Sequence, residues 1–558
     1  MELIDHLDLL ATAPDGIKRL RGLILELAVR GKLVPQDPAD EPASELLKRI
    51  EVEKARLVRE GKIRKAKAVE PVGEDEQPFD LPESWCWARL SEIALLNPRN
   101  DANDETEVSF VPMAMIATSF DGKHEQEPRK WKEVKQGFTH FAEGDVGVAK
   151  ITPCFENSKA CVFSGLHSGI GAGTTELHIV RPIPGTLLPR YVLAYFKAPM
   201  FLLVGETRMT GTAGQKRLPR DFVELNPFPL PPLPEQHRIV ARVDELMALC
   251  DRLEAEQTDA SEARARLVDA LLATLTASRD AAECAANWQR LSTHFDTLFT
   301  TEASITALKQ TVLQLAVMGR LVPQDPTDEP ASELLKRTEA EKARLVKEGR
   351  IHKSKAVEAV GEDERPFEVP AGWEWGRFAQ VAKVGGRLVD ATQFPDRLQV
   401  APDCIEKGTG RLTEKRTVAQ AGVRGPNQQF RAGQLLYSKI RPSLSKAVLV
   451  DFDGLCSADM YPLDVHIEPR FMLLQILSEV FLNQVRIAEN RVKMPKLNQE
   501  SLNAFLVCIP PLLEQHRIVA KVDELMALCD RLKAYLATAR DHRARLADTL
   551  VQAALEAA

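Results

Sequence analysis

The sequence predicts a mixed α/β fold in which two α/β domains are separated by long helices, and in which one unit occurs twice. Two repeated blocks carry this prediction. Residues 231–253 (PPLPEQHRIVARVDELMALCDRL) recur at residues 510–532 with two of 23 positions changed, by direct count. Residues 31–87 recur at residues 319–375 with 42 of 57 positions identical. Because a solenoid needs at least three stacked repeats, two copies indicate a tandem duplication.

Two inserts lie between the repeated blocks and differ from each other much more than the blocks do. We call the duplicated sequence outside the inserts, which also includes residues 17–30 and their counterpart 305–318, the frame, and we call the inserts the first head and the second head. At 558 residues the chain has room for three or four domains. The predicted boundaries are 1–87 for an N-terminal helical repeat region, 88–230 for the first head, 231–276 for a central long helix, 277–375 for a linker and second helical repeat region, 376–509 for the second head and 510–558 for a C-terminal long helix.

Each copy of the frame begins with a short helix. Residues 17–30 carry apolar side chains at helical spacing and end at Gly31. Residues 305–318 end at Gly319 in the same way. A glycine directly after the last helical residue is typical of a helix C-terminus, so both helices are expected to stop there.

A second frame helix begins at Pro42 and stops at Gly61. The basic run KIRKAK at residues 62–67 and its copy RIHKSK at residues 350–355 follow. These runs fit either a solvated helix end or a contact with a phosphate backbone. The tryptophan pairs that precede the heads are expected to anchor the core: Trp85, Trp87, Trp373 and Trp375.

The heads show the pattern of α/β domains. In the first head GDVGVAKI, KACVFS and TELHIVRP read as strands, and residues 190–203 read as a helix. In the second head QLLYSKI, SKAVLVDF and MYPLDVHI read as strands, and residues 471–486 read as a helix. The glycine-rich residues 169–173 (GIGAG) precede a strand and not a helix, so we expect a turn there and not a phosphate-binding loop.

A long helix closes each half of the chain. Apolar or small residues recur in it at 4-3-4-3 spacing, and a heptad seam of this kind needs a partner helix. Two such helices most simply pair with each other as an antiparallel coiled coil, which would give the molecule an internal pseudo-twofold axis and fix the spacing of the heads. The alternative is an ordinary helical bundle that joins two domains. The predicted seam residues are Ile239, Val243, Leu246, Cys250, Leu253, Ile518, Val522, Leu525, Cys529 and Leu532.

The acidic net charge of −7 is unevenly distributed. By direct count the first head has 16 basic and 16 acidic residues and the second has 18 and 13, so the heads sum to +5 and the rest of the chain to −12. Because salt limits electrostatic reach to about 10 Å, local charge matters more than the total at a binding face. The overall acidity therefore does not exclude a nucleic-acid partner.

The cysteines and the N-terminus indicate a cellular compartment. None of the nine cysteines forms a CxxC pair, and Cys250 and Cys529 lie at matching places in a helical pattern, which fits reduced structural thiols. No basic segment followed by an apolar core opens the chain, and no stretch approaches the ~20 apolar residues of a membrane span. We therefore expect a soluble cytoplasmic protein without membrane contact.

Long ordered motifs in both halves resemble one known family. They are the twin blocks at residues 231–253 and 510–532, GDVGVAKITPCFENSKA at 144–160, GTAGQKRLP at 211–219 and AGQLLYSKIRPSLSKAVLVDFDGLCSADMYPL at 432–463. Along almost its whole length the chain resembles the specificity subunit of type I restriction–modification enzymes. The resemblance implies that each head is a target-recognition domain that reads one half of a bipartite, asymmetric sequence in double-stranded DNA.

The resemblance also implies a set of partners. The chain is expected to bind two copies of an adenine-N6 methyltransferase subunit and, through that complex, the restriction and translocation subunits. S-adenosylmethionine, ATP and Mg are then used by the partner subunits, and this chain binds no cofactor. The duplicated frame agrees, because two nearly identical surfaces on one chain suit two copies of one partner.

The residues themselves offer no catalytic site. No GxxxxGK[ST] phosphate loop is present. Residues 226–229 (NPFP) share only part of the NPPF motif of adenine methyltransferases, because the second proline is misplaced. The eleven histidines show no metal-ligand clustering. We therefore predict no catalytic residue and no metal ligand, and expect a non-catalytic subunit.

DNA recognition needs Lys and Arg for phosphates and guanine edges, and Asn and Gln for adenine edges. Residues 181–220 carry seven basic residues against one acid, and residues 407–446 carry nine against one. Lys150 and Lys439 follow similar strands and are expected to be equivalent. The candidate DNA-binding residues are Lys150, Asn157, Lys159, Gln215, Lys216 and Arg217 in the first head, and Lys439, Arg441, Lys446, Arg491, Lys493 and Lys496 in the second.

Two other functions remain open from the sequence. One is a coiled-coil adaptor that binds only proteins, which the absence of DNA binding by the assembled complex would favour. The other is an enzyme with an unrecognised site, which activity of the isolated chain would favour.

Overall fold

The computed structural model confirms the predicted mixed α/β class. It describes residues 7–63, 69–212, 214–348, 358–489 and 496–557, and among these it leaves undescribed the side chains at positions 7, 8, 345 and 557. Most of the two predicted basic runs therefore lies outside the described residues; of the first run, Lys62 forms an ion pair with Glu60 at 2.8 Å.

The elements of the first half follow the order helix, head, long helix. Its helices are α1 Leu7–Ala11, α2 Gly16–Val29, α3 Ala43–Arg59, α4 Leu90–Ile93, α5 Trp131–Val134, α6 Pro189–Lys197, α7 Pro199–Arg208, α8 Arg220–Leu225 and α9 Leu233–Ala277. Its strands are β1 Cys86–Arg89, β2 Ala94–Leu96, β3 Glu107–Val111, β4 Glu127–Lys130, β5 Thr139–Ala142, β6 Val146–Ala149, β7 Ala160–Val162, β8 Ile170–Gly173, β9 Leu177–Pro182 and β10 Pro227–Leu230.

The second half repeats this order after a short helical linker. Its helices are α10 Ala281–Ser292, α11 Phe295–Leu298, α12 Glu302–Val317, α13 Ala331–Lys347, α14 Phe378–Val381, α15 Val418–Ala421, α16 Pro469–Leu477, α17 Glu479–Glu489, α18 Gln499–Ala504 and α19 Leu512–Ala557. Its strands are β11 Glu374–Arg377, β12 Ala382–Val384, β13 Arg387–Asp390, β14 Leu398–Val400, β15 Arg416–Thr417, β16 Pro426–Phe430, β17 Leu435–Ser438, β18 Ala447–Leu449, β19 Gly454–Ser457, β20 Met460–Val465 and β21 Leu506–Ile509.

The chain folds into two compact units. The first comprises Met1–Asp259 and Ala539–Ala558, and the second comprises Ala260–Thr538. Each unit thus contains one head, the start of one long helix and the end of the other. The short frame helices end as predicted, because Gly31 and Gly319 adopt φ values of 70° and 69°, which glycine tolerates without strain.

The first head consists of two sheets in face-to-face contact. One sheet has the order β2-β9-β6-β7 and the other the order β4-β3-β8-β5. Phe141 and Phe163 stack between them with ring centroids 3.7 Å apart, within an apolar cluster that also contains Val111 and Ile179. Strands β1 and β10 pair antiparallel, so that the chain enters and leaves the head side by side.

The second head repeats the first sheet and alters the other. Its four-stranded sheet has the order β12-β20-β17-β18, which matches β2-β9-β6-β7, whereas its second sheet has five strands in the order β13-β16-β19-β14-β15. Strands β11 and β21 pair antiparallel at the base, as β1 and β10 do. The heads therefore share one layer and differ in the other.

Three local predictions were wrong. Residues 190–203 do not form one helix, because Pro199 forces Ala198 out of helical geometry (φ −65°, ψ 135°) and separates α6 from α7. Residues 471–486 are likewise split at Ser478. The glycine-rich residues 169–173 do not form a turn: residues 170–173 are the central strand β8, where a Cβ on Gly171 would lie 2.3 Å from the Phe141 ring.

Three of the four predicted tryptophan anchors, Trp85, Trp373 and Trp375, are buried, whereas Trp87 is partly buried. Trp85 and Trp373 attach each head to a long helix. Trp85 Nε1 donates to Oε2 of Glu235 at 2.9 Å, and Gln36 Nε2 donates to Oε1 at 2.7 Å. In the second unit Trp373 Nε1 donates to Oε2 of Glu514 at 3.0 Å. Burial raises the pKa of both carboxyl groups, although the hydrogen bonds oppose that shift.

The long helices α9 and α19 contain 45 and 46 residues. In the first unit the α9 residues Ile239 and Cys250 are buried in one cluster with Ala547 of α19. In the second unit Cys529 of α19 is buried in one cluster with Leu272 of α9. The start of each long helix therefore lies with the end of the other, as an antiparallel pair requires. Eight predicted seam positions are buried and the other two, Leu253 and Leu532, are partly buried: Ile239, Val243, Leu246, Cys250, Ile518, Val522, Leu525 and Cys529.

The short frame helices also take part in this arrangement. Arg21 of α2 donates to Asp251 of α9 at 2.6 Å, and Lys32, just beyond α2, donates to the carbonyl of Leu555 of α19 at 3.1 Å. The second unit repeats these contacts with equivalent residues, from Lys309 to Asp530 and from Arg320 to the carbonyl of Thr276. Sequence duplication is thus matched by duplication of individual contacts.

All nine cysteines are free thiols, and seven of them are buried, including Cys250 and Cys529. Among the described helices none is by itself both long and apolar enough to cross a bilayer. Helices α16 and α17, which are bent by 58° at their junction, pass that test together on length and composition alone.

Candidate nucleic-acid interface

A basic corner forms where strand β6 of the first head ends. The backbone N–H of Lys150 donates to the carbonyl of Glu176 at 3.0 Å, and the Lys150 carbonyl accepts from Leu218 at 2.7 Å. Arg217 donates from Nε and Nη2 to the two carboxylate oxygens of Glu176 at 3.0 and 2.9 Å. These hydrogen bonds lower the pKa of Glu176 and keep it ionised at neutral pH. We call Lys150, Glu176 and Arg217 the first corner.

The second head has a corner with the same backbone connections. The Lys439 N–H donates to the carbonyl of Asp459 at 2.8 Å, and the Lys439 carbonyl accepts from Leu497 at 2.9 Å. Lys496 donates from Nζ to Oδ1 of Asp459 at 3.0 Å. The structure therefore supports the predicted equivalence of Lys150 and Lys439. We call Lys439, Asp459 and Lys496 the second corner.

Sequence reasoning missed the two acids, because a DNA surface is expected to be basic. One signal was present in the sequence. Glu176 stands directly before β9 and Asp459 directly before β20, and these strands occupy the same place in their sheets. Matched strands preceded by a carboxylate in two otherwise dissimilar heads would have identified them.

Three further candidates of the first head lie on exposed loops: Asn157, Gln215 and Lys216. None of their side chains forms a hydrogen bond within the described part of the chain. The backbone N–H of Lys216 donates to Oγ1 of Thr152 at 3.1 Å, which joins their two loops beside the first corner. These side chains are available to contact a ligand.

Two predicted DNA-binding lysines turn inward and join the sheets of their own head. The Lys159 amine donates to the carbonyl of Met113 at 2.9 Å, and the Lys446 amine donates to the carbonyl of Pro402 at 2.6 Å. Both lysines immediately precede equivalent strands, and both acceptors lie in short helical turns of the second sheet. These contacts favour a structural role.

The Lys439 amine is also turned toward its own head. It donates to the carbonyl of Ala458 at 2.7 Å and lies 4.5 Å from the centre of the Tyr461 ring. Burial lowers the pKa of Lys439. The amine is therefore less available to DNA than a fully solvated lysine.

Arg441 is an exposed basic candidate beside the second corner. It adopts φ 44° and ψ 54°, a left-handed conformation that is uncommon for residues other than glycine. The loop after it is held by Ser443, whose backbone N–H donates to Oε1 of Glu489 at 3.1 Å. The remaining candidates, Arg491 and Lys493, lie outside the described residues.

One group of potential metal-ligand atoms occurs among the described residues, at Asp403, Cys404 and Glu414. Arg416 already supplies the opposite charge there, since it donates to Asp403 at 2.8 Å and to Glu414 at 3.2 Å. Burial raises the pKa of the Cys404 thiol, which disfavours the thiolate that binds metals. The group is therefore better described as an ion-pair cluster than as a metal site.

Comparison with known proteins finds close relatives along nearly the whole chain. The chain is 47% identical to the type I restriction enzyme EcoAI specificity subunit of Escherichia coli over 562 residues, which cover 97% of this chain and 94% of the relative. It is also 47% identical to the EcoEI specificity subunit of Escherichia coli over 564 residues, with the same coverage. No protein-family model matches the chain.

Solved structures give weaker matches. A chain from a structure of complex assembly and conformational transition in a type I R-M system has a TM-score of 0.48 and 17% identity, covering 86% of this chain and 99% of that one. The HsdS subunit from Thermoanaerobacter tengcongensis has a TM-score of 0.46 and 17% identity, covering 86% and 98%.

Proposed function

The chain belongs to the family of type I restriction enzyme specificity subunits, and from that membership we propose that it reads a bipartite, asymmetric DNA sequence with its two heads. Specificity subunits are the non-catalytic subunits of type I restriction–modification systems. In this proposal the chain positions two adenine-N6 methyltransferase subunits, and with them the restriction subunits, on the DNA. S-adenosylmethionine, ATP and Mg are used by those partners.

The observation that carries this proposal is the pair of corners. Both heads place a lysine at the end of the same strand, join it to an acid by the same backbone hydrogen bonds, and set a second basic side chain beside that acid. The surrounding loops and the second sheets differ. The two corners thus occupy equivalent places in their heads but carry different side chains. This suits the reading of two different half-sites, because base edges in the major groove are distinguished by the donors and acceptors that contact them.

The frame supports two copies of one partner. The sequence RARL occurs on α9 and again at the equivalent place on α19, and its leucines, Leu267 and Leu546, are 51% and 46% exposed. Large apolar side chains exposed at duplicated positions of the two long helices are candidate contact points for a repeated partner. Each of Leu267→Glu and Leu546→Glu should lower the number of bound methyltransferase subunits from two to one, as measured by the mass of the complex. Two retained copies in both variants would remove these leucines from the interface.

DNA selection by the assembled complex tests the proposal. The chain is co-produced with its methyltransferase subunits and incubated with a random-sequence duplex pool, and bound DNA is sequenced. The proposal predicts enrichment of two different short half-sites at a fixed separation. A palindromic site would contradict the two different heads. Absence of DNA binding would favour a protein-binding adaptor, and reaction of DNA with the isolated chain would favour an enzyme.

A further inference from the structure

Each corner contains a carboxylate, which is unexpected at a surface meant for DNA. Glu176 and Asp459 stand beside basic side chains that would otherwise face solvent freely: Arg217 is 48% exposed and Lys496 is 62% exposed. An isolated surface ion pair contributes little to stability, so stability alone is a weak reason to keep one. Its recurrence in both heads asks for another explanation.

The geometry at Glu176 restricts the Arg217 guanidinium. The carboxylate accepts two hydrogen bonds from the Nε and Nη2 edge, at 3.0 and 2.9 Å, and Glu176 itself is 24% exposed. Two of the five guanidinium N–H groups are thereby occupied. The adjacent edge, formed by Nη1 and the second N–H of Nη2, makes no hydrogen bond among the described residues and presents two parallel donors that match O6 and N7 of guanine.

Asp459 has the same relation to Lys496 although both residue types differ. Oδ1 of Asp459 accepts from the Lys496 amine at 3.0 Å, and the Asp459 backbone carbonyl accepts from Lys439. Glu with Arg in one head and Asp with Lys in the other keep the charges and the placement while changing length and shape. The element common to both heads is therefore an acid that holds a base.

We propose that Glu176 and Asp459 are positioning residues for DNA reading, which hold Arg217 and Lys496 toward base edges and repel phosphates from the same place. This inference rests on the proposed function. A negative charge beside the reading group lowers affinity for every sequence, but it lowers affinity for nonspecific DNA most, because there phosphates are the main contacts. Specificity, as a difference between two affinities, increases.

The direction in which nonspecific DNA affinity changes when the acid is removed distinguishes a positioning role from a structural one. In the complete complex, Glu176→Ala should raise affinity for nonspecific DNA roughly two- to fivefold at low salt, because one repulsive charge is lost. It should lower the ratio of cognate to nonspecific affinity roughly 5- to 30-fold, because the guanidinium is no longer oriented. Glu176→Gln keeps acceptor capacity without charge, so its nonspecific affinity and its specificity ratio should lie between those of the wild type and those of Glu176→Ala. Asp459→Ala should relax only the other half-site.

Two matched variants complete the experiment. In an Arg217→Ala background, Glu176→Ala should cause no further loss of the specificity ratio, because the acid acts through Arg217. Glu224→Ala removes the acid of another ion pair in the same head, with Arg220, and should leave the ratio unchanged. Thermal unfolding of every variant is followed in parallel.

Each outcome decides a separate point. The wild-type complex could prefer one sequence while Glu176→Ala keeps the wild-type ratio of cognate to nonspecific affinity. That result would overturn the inference and leave the proposed function standing. Loss of affinity for cognate and nonspecific DNA together with a lower unfolding temperature would show a structural role instead. A wild-type complex without any sequence preference would overturn the proposed function itself, and the inference with it.

Discussion

Arg441 offers the sharpest test of base reading in one head. Its side chain is exposed, so Arg441→Ala leaves no cavity, and the stability of the second unit should change by less than about 0.5 kcal/mol. Alanine meets the same left-handed backbone conformation as arginine, so no new strain is expected at this position.

The expected cost in DNA reading follows from the chemistry of the guanidinium. A bidentate contact to one guanine discriminates against the wrong base by about 1–3 kcal/mol, which is roughly 5- to 150-fold in relative affinity. Arg441→Ala should therefore relax one base position of one half-site and leave the other half-site unchanged. Arg441→Lys keeps the charge but loses the planar fork, so it should relax the same position while the salt dependence of binding stays near that of the wild type.

The assay measures binding of the assembled complex to duplexes that differ from the cognate site at single positions, over a range of salt. Arg470→Ala is the matched control, because Arg470 is exposed in the same head but pairs with Asp523 of α19. Equal weakening for all duplexes, with a lower salt slope, would show that Arg441 contacts a phosphate. An unchanged preference at every position would remove Arg441 from the interface.

Three further predictions concern stability. Lys446→Ala and Lys159→Ala should each lower the free energy of unfolding of their unit by about 1–2 kcal/mol in urea titrations, because each loses an amine-to-carbonyl hydrogen bond, and sequence preference should not change. Trp85→Phe should cost about 1.5–3 kcal/mol, because the buried carboxylate of Glu235 loses a donor. Since burial raises the pKa of Glu235, the folded state binds this proton more tightly than the unfolded chain does. Stability should therefore fall as pH rises from the unfolded pKa of roughly 4.3 through the higher folded value, and Glu235→Gln should lessen that fall in thermal melts.

Specific results would contradict these predictions. Altered base preference in Lys446→Ala with unchanged stability would make that lysine a DNA contact. A change below about 0.5 kcal/mol in Trp85→Phe would show that the indole hydrogen bond does not secure the head. An identical pH slope in wild type and Glu235→Gln would assign the pH dependence to other groups.

The frame was predictable from the sequence because its signals are local and repeated. Helix α2 follows apolar spacing and stops at Gly31, and the long helices follow the spacing that includes Cys250 and Cys529. Strands β6, β7 and β9 were recognisable because they are short apolar runs bounded by glycine or proline. In each case the secondary structure that the local sequence favours is the one that the segment adopts in the fold.

The second sheets were not predictable because their strands lack such signals. Strand β4 is EPRK and β8 is IGAG, and neither shows alternation or a β-branched run. Strand β8 forms because its neighbours supply hydrogen bonds on both sides and the stacked Phe141 ring leaves no room for a side chain at Gly171. Such tertiary context overrides local preference.

Only part of the candidate interface could be read from the sequence for a related reason. Residue type and spacing located Lys150 and Lys439 at equivalent strand ends. They could not show that the amine of Lys439 turns inward, because the direction of a long flexible side chain depends on the hydrogen-bond acceptors that the fold places around it. Glu176 was overlooked because its proposed role depends on a contact with Arg217, which is 41 residues away in the sequence.

Whether this chain selects the methylated sequence is tested most directly by a genome-wide map of N6-methyladenine in the source cell, with and without this gene. One split motif, with two different half-sites around a fixed gap, should lose methylation when the gene is deleted and regain it on complementation. Reintroduced Arg441→Ala should restore the motif with one base position relaxed. Retention of every methylated motif after deletion, in cells that express the methyltransferase subunit, would contradict the role of this chain as the reader of the sequence.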